Sequence, residues 1–391
     1  YHTKVPHKAI MRYILHYTDP GDIVFDGFCG TGMTGVAAQL CGDKKTVESL
    51  GYRVDAKGVI WEGDKAISRL GARKAVLNDL SPAATFIAYN YNTPVDAAAF
   101  EREARRILKE VEQECGWMYE TWHPNCDDPN RVKGKINYTV WSDVFVCPNC
   151  GQEMVFWDVA LDQEAGSIRE AWNCPGCGTL VSKSAKKDMG ASKAERAWVT
   201  RFDQELKETI RQAKQVPVLI NYSVGKKKFE KKPDISDINT IQKIEYIEIT
   251  HPIPKDELPV GFNTQQPKIS HGLSHVHHFY TRRNLIILAS IYSQISTHEQ
   301  LLWFNSQLIN ISKLNRYRPE VSFPYNPLTG TLYVASQVSE ANIFTAYENK
   351  LERLKKAFID SSYDNHVISV QSSSNYFKQK SNILDYSFVD P

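Results

Sequence analysis

Long apolar runs are missing from this 391-residue chain. No uninterrupted stretch approaches the roughly 18–20 residues that a membrane-spanning helix needs. The opening Tyr-His-Thr-Lys-Val-Pro has no apolar signal-peptide core. No membrane association or secretion is therefore expected, and the cytoplasm is the expected compartment. Cysteine is sparse, eight in the whole chain, which excludes a disulfide scaffold. Net charge is nearly absent too: 47 basic side chains against 45 acidic give +2, so bulk charge decides nothing about a polyanionic partner. The remainder is ordinary for a globular protein, 42% apolar and 24% charged, at a length that admits two or three domains.

The distribution of these residues says more than their totals. Between Lys183 and Lys232 there are 14 basic and 6 acidic residues, an excess that the rest of the chain cancels. Lys226, Lys227, Lys228, Lys231 and Lys232 flank Phe229 and precede Pro233, so a loop open to DNA phosphates is expected there. Four cysteines fall in two C-P-x-C-G turns, Cys147-Pro-Asn-Cys150-Gly and Cys174-Pro-Gly-Cys177-Gly. Each turn aims two thiolates at one point. Four together make a closed tetrahedral site suited to structural zinc, with no position left for a substrate. Cys115 and Cys126 are expected to be unrelated thiols. His271, His275, His277 and His278 form a second polar cluster with Arg282 and Arg283. Their spacing lacks the helix or knuckle geometry of a metal site; a substrate-side or interdomain role and ordinary surface histidines both stand.

Apolar spacing predicts a helix over 7–17, a buried strand over 22–25, a helix over 33–40 and a second strand over 75–77. Ser81-Pro82 supplies an N-cap and first-turn proline for a helix to about Tyr91. This order begins a parallel α/β sheet. The stretch 41–73 is expected to be irregular, with a hairpin near 54–61. Further on, an amphipathic helix is expected over 97–120, a basic helix over roughly 190–214, strands over 216–222 and 243–249, and helices over 282–312 and 342–358. Parallel-type strands return at 367–370 and 386–389.

Gly30-Thr-Gly32-Met-Thr-Gly35 fits G-x-G-x-x-G, a weak signal alone. Asp26 ends the first strand just ahead of it, where a carboxylate suits a cationic ammonium group and repels a pyrophosphate. A nicotinamide dinucleotide site also wants an acid about 20 residues on, whereas the candidate here, Asp79, lies far beyond that. S-adenosylmethionine is therefore favoured; a dinucleotide and a purely structural turn stay open.

Asp26-Gly-Phe-Cys-Gly-Thr-Gly32 resembles the F-x-G-x-G loop of the DNA amino-methyltransferases, and Tyr1-His-Thr-Lys-Val-Pro6 is similar to the segment that family places before it. The resemblance implies that Thr3, Lys4 and Pro6 line the methionine end of S-adenosylmethionine. It implies that Asp26, Gly27, Phe28, Cys29, Gly30, Thr31 and Gly32 form the cofactor loop, and that Asp79 and Leu80 sit at the ribose and adenine. Cys29 is expected to pack and not to react. Ile383 to Pro391 resembles the strand delivering the catalytic Asp-Pro-Pro-aromatic segment, with Asp390 and Pro391 its first two positions. In that family the Asp and the Pro carbonyl orient the exocyclic amine of a flipped base. Asp at the first position leans toward adenine N6 over cytosine N4.

The implied fold is α/β, an incomplete Rossmann-like methyltransferase sheet interrupted by a large α+β insertion containing a zinc ribbon, as in the large zinc-ribbon adenine-specific DNA methylases. Expected segments are 1–96 for the cofactor part, 97–138 a helical linker, 139–183 the ribbon, 184–360 the basic target-recognition insertion, and 361–391 the return to the sheet. Double-stranded DNA is the expected partner, with restriction or defence subunits possible. Because the chain starts at Tyr1 and stops at Asp390-Pro391, it is expected to be part of a longer protein, inactive and poorly stable alone. Two rivals remain: a methyltransferase acting on structured RNA, and a non-catalytic zinc-ribbon DNA-binding protein.

Overall fold

The computed structural model describes residues 5–123, 132–162, 166–184, 190–318, 327, 328, 330–360, 366–370 and 386–388. They fall into two compact units, 1–102 with 297–302 and 352–391, and 103–296 with 303–351. The chain is mixed α/β.

In the first unit α1 (His7–Tyr17) buries the stripe Ile10, Met11, Ile14 and Leu15. Strand β1 (Ile23–Asp26) pairs in parallel with β2 (Lys74–Asp79), Val24 opposite Ala75 and Asp26 opposite Leu77. Strand His366–Val370 flanks β2 and strand Tyr386–Phe388 flanks β1, both parallel. Val24, Phe25 and the run Ala75–Asn78 are buried, as a sheet covered on both faces requires. Helix α2 (Met33–Leu40) packs on β2, and α3 (Pro82–Asn92) starts at Ser81, whose hydroxyl accepts the Ala84 N–H.

Between α2 and β2 the chain makes a closed excursion. It contains the short helix Lys44–Glu48 and a three-stranded antiparallel meander, Arg53–Val54, Val59–Glu62 and Lys65–Arg69, where one hairpin was expected. Arg73 closes it from inside. Its guanidinium is fully buried and donates to the Thr18 hydroxyl and carbonyl, the Ser68 hydroxyl and the carbonyls of Arg69 and Gly71. The detour explains why Asp79 lies so far along the sequence yet ends the strand next to Asp26.

The helix expected over 97–120 stops at Cys115 and continues as a 3-10 turn, Gly116–Tyr119. The second unit is built around one strand of fourteen residues, Lys133–Val146, so the boundary expected at 138/139 falls inside it. Glu120–Trp122, Glu153–Val155, Glu195–Arg196, Gln215–Val224 and Gln337–Ala341 all pair antiparallel with that strand.

Two expected elements change type. The basic helix over 190–214 is instead strand pairing, chiefly the hairpin Trp198–Asp203 with Glu208–Ala213. Val199, Thr200, Thr209 and Ile210 are β-branched, and Asp203 caps a tight turn by accepting the N–H groups of Glu205 and Leu206. The strand expected over 243–249 gives way to the helix Ile235–Glu245, which opens on a capping box between Asp234 and Asp237. Its isoleucines at 235, 238, 241 and 244 recur at helical spacing.

Candidate functional site

The glycine loop hangs between the carboxyl ends of β1 and β2, where ligands of parallel α/β sheets bind. Asp26 accepts the Phe28 N–H at 3.1 Å on one oxygen and the Thr34 hydroxyl at 2.5 Å on the other. Asp79 accepts the Gly30 N–H at 3.0 Å and the Ser81 N–H at 2.8 Å. From below, Asn78 takes the Cys29 N–H on its carbonyl at 3.0 Å and gives its side-chain N–H to the Gly27 carbonyl at 3.3 Å. The loop is thus braced by two carboxylates on adjacent strand ends.

Its outer edge is open. Gly30 has φ +51°, and nothing stands within 4 Å of where its Cβ would be, so a ligand can approach bare backbone. Phe28 is 57% and Leu80 76% exposed, an apolar pair beside polar backbone that suits the faces of a nucleoside base. Thr31 is buried beneath the loop, and Pro6, at the start of α1, is exposed. Burial, reinforced by Asp26 and Asp79, pushes the Cys29 thiol up to about 12, so it packs as a neutral group. Thr3, Lys4, Asp390 and Pro391 lie outside the described residues. The strand leading to the last two runs beside β1 with Phe388 level with Asp26. Sequence reading missed Thr34 and Asn78. Their signal was local: a hydroxyl on the first turn after the loop, and the Asn-Asp pair closing β2.

The four knuckle cysteines come together, with all sulfurs within 4.8 Å of one another. Cys147 and Cys177 are 3.7 Å apart, Cys150 and Cys174 3.6 Å. An ion about 2.3 Å from each of four tetrahedral thiolates would hold them about 3.8 Å apart, so the donor set fits a closed divalent site. The two turns repeat each other. Gly151 donates to the Cys147 carbonyl and Gly178 to the Cys174 carbonyl, each at 2.9 Å and each with positive φ, +77° and +71°. Hydrogen bonds from Thr179, then Asn149, draw the Cys177 thiol down, while the neighbouring Cys150, hydrogen-bonded to it, is pushed up, so the two thiols share one proton between them. Cys115 is buried elsewhere, and Cys126 lies outside the described residues.

The basic residues separate into two kinds. Lys226, Lys227, Lys228 and Lys232 are exposed. The segment is the strand Lys227–Lys231 and not a loop, paired with Gln215–Val224. Its alternation turns Lys231 inward, 6% exposed, between Asp234 at 2.7 Å and Asp237 at 2.8 Å. Arg282 and Arg283 do not present themselves to phosphate either. Arg282 is held by Glu205 at 2.8 Å and by the Gln204 side chain and the Ile247 carbonyl. Arg283 is buried against Glu340 at 2.6 Å, above the Tyr119 ring. Glu340 also accepts the Trp141 indole N–H at 2.7 Å and the Thr281 hydroxyl.

His271, His277 and His278 are buried, and His275 is half-buried. His277 and His278 both face one oxygen of Asp203, at 3.0 and 2.9 Å. The N–H groups of Ser274 and His275 point at His278 Nδ1, which leaves the ring proton on Nε2, toward Asp203. A protonated nitrogen cannot ligate, so this cluster is a hydrogen-bonded rivet at the end of the 198–203 strand. Burial pushes His278 down to about 4 and also lowers His277. His271 faces Asp143, which also accepts from Arg196 and Gln215.

Residues 1–92, about a quarter of the chain, match the N6/N4 methyltransferase family model, described as DNA methylase. No curated protein and no solved structure matches. The matched span holds the glycine loop, Asp26, Asp79 and α3, and it supports a DNA methyltransferase; S-adenosylmethionine as methyl donor and DNA as substrate are implied by that family.

Proposed function

We propose that this chain carries the cofactor site and the target-recognition insertion of an S-adenosylmethionine-dependent DNA amino-methyltransferase, adenine N6 ahead of cytosine N4. The carrying observation is the pair of carboxylates, Asp26 and Asp79, flanking an open glycine edge inside the matched span. In this reading Asp79 accepts ribose hydroxyls, Phe28 and Leu80 contact the adenine, and Asp26, steadied by Thr34, faces the ammonium group. Bound S-adenosylmethionine supplies an electrophilic methyl group. Positioning and charge placement then carry the transfer. By the same resemblance Asp390 and Pro391 orient the target amine.

The second unit is proposed to read the duplex. Lys226, Lys227, Lys228 and Lys232 are offered to phosphates, and zinc in the Cys147–Cys150–Cys174–Cys177 site fixes the two hairpins that carry the cysteines. Restriction or defence subunits are the proposed partners, in the cytoplasm.

Calorimetry with S-adenosylmethionine tests the core of this reading. Binding is expected, and Asp79→Ala is expected to weaken it roughly 10- to 100-fold, the loss of one or two hydrogen bonds to a charged acceptor. Absence of binding to the unaltered protein overturns the reading. Tritiated methyl transfer by the whole protein to unmethylated duplex DNA, but not to tRNA or rRNA, separates it from an RNA methyltransferase.

A further inference from the structure

We infer that Asn92, on the last turn of α3, is the positioning residue that sets the glycine loop for its nucleoside ligand; this rests on the S-adenosylmethionine reading above. Asn92 is 2% exposed. Its side-chain N–H groups reach back 60 residues to the Gly32 carbonyl at 3.1 Å, and to the Ala88 carbonyl at 2.8 Å. Its oxygen accepts from the buried Gln39 side chain at 3.3 Å.

The three glycines of the fingerprint therefore have different reasons to be glycine. Gly30 faces open space. A Cβ at Gly32 would stand 2.8 Å from Asn92 Nδ2 and 2.7 Å from the Ala88 Cβ. One at Gly35 would stand 2.3 Å from Asn92 Oδ1 and 2.9 Å from Leu77. Gly32 and Gly35 form the slot that the carboxamide enters, while Gly30 is left to the ligand.

The consequence for binding follows from peptide geometry. In a trans peptide the C=O and the following N–H point opposite ways. The Gly32 carbonyl accepts the Asn92 carboxamide at 3.1 Å and, at a longer 3.4 Å, the Val36 N–H that opens α2. Held inward by both, it turns outward the N–H of Met33, whose donor lacks an intrahelical acceptor. Asn92 thus pre-orders a donor without touching the ligand, and pre-ordering raises affinity by lowering what binding must fix.

The test uses the whole protein with calorimetry, urea unfolding and steady-state kinetics. Asn92→Asp keeps the shape and the acceptor for Gln39 but removes the donors to Gly32 and to Ala88, and urea unfolding reads the cost of the second separately. Affinity for S-adenosylmethionine is expected to fall about tenfold, the scale of one buried hydrogen bond, with KM raised and kcat unchanged. Gly35→Ala is expected to weaken binding as well. Combining it with Asn92→Ala is expected to recover part of that loss, because the added methyl then has room. Gln39→Ala, which only loosens Asn92, is expected to cost two- to threefold. Wild-type affinity in Asn92→Asp and Gln39→Ala, or strictly additive losses in the double variant, overturns the inference while leaving the cofactor reading intact. No binding by the unaltered protein overturns the cofactor reading itself.

Discussion

The two compact units treat buried polarity in opposite ways. In the first, Asn78 and Asn92 are met by neutral partners, Arg73 donates to neutral oxygens, and the carboxylates Asp26 and Asp79 stand at strand ends beside an open loop. In the second, buried charges are each met by an opposite one: Arg283 by Glu340 and Lys231 by Asp237 inside, Asp143 by the half-buried Arg196, with Asp234 reaching Lys231 from the surface. Charge at an open strand end is available to a ligand. Charge sealed against its opposite fixes one packing and is available to nothing else. The two units thus spend their interior-edge charge differently, one at an open loop and the other on its own packing.

The comparison breaks most visibly at the cysteines. Cys174→Ser is expected to remove the metal and unfold the two hairpins, since structural zinc sites bind with apparent energies of about 10 kcal/mol or more. Elemental analysis with limited proteolysis checks this, and S-adenosylmethionine binding by the first unit should survive. Next comes the interior ion pair. Arg283→Met alone strands the Glu340 charge and is expected to cost about 3–5 kcal/mol in urea unfolding, whereas Arg283→Met with Glu340→Gln recovers most of it.

The smallest effect is an acid sensitivity at the second unit's histidine cluster. His278, with a folded value of about 4, and His277, also lowered, take up protons more readily unfolded, near the ordinary 6.5. Their contribution is complete above about pH 6.5 and fades as the pH falls toward 4. Asp203 shifts the other way in origin but not in sign. Burial raises it, yet hydrogen bonds from His277, the turn backbone and His278 hold it below the ordinary carboxylate range, so its share is lost only at still lower pH. His277→Gln with His278→Gln should flatten the decline between pH 6.5 and 4.

Legibility in the sequence follows the same divide. Every element of the first 92 residues that frames the loop was readable, because short buried strands, a capped helix and glycine turns are local signals. Cysteine spacing was readable for the same reason. The second unit was misread where charge masked other signals. Residues 190–214 look like a basic helix, yet 198–203 folds back on 208–213 across a turn held by Asp203. Arg282 and Arg283 look exposed until Glu205 and Glu340 arrive. A charged residue does not announce its partner.

The parallel neighbours of β1 and β2 carry one more consequence. Val76 lies beside Val367 and Val24 beside Tyr386, so β2 and β1 are flanked by strands about 290 and 360 residues downstream. As the ribosome delivers the chain, the early hydrophobic ribbon must wait, with its flanks unsealed, until the whole intervening segment has emerged. Such delayed closure slows folding and invites self-association. Cells making this protein should therefore lean on chaperones during its birth more heavily than its finished architecture suggests.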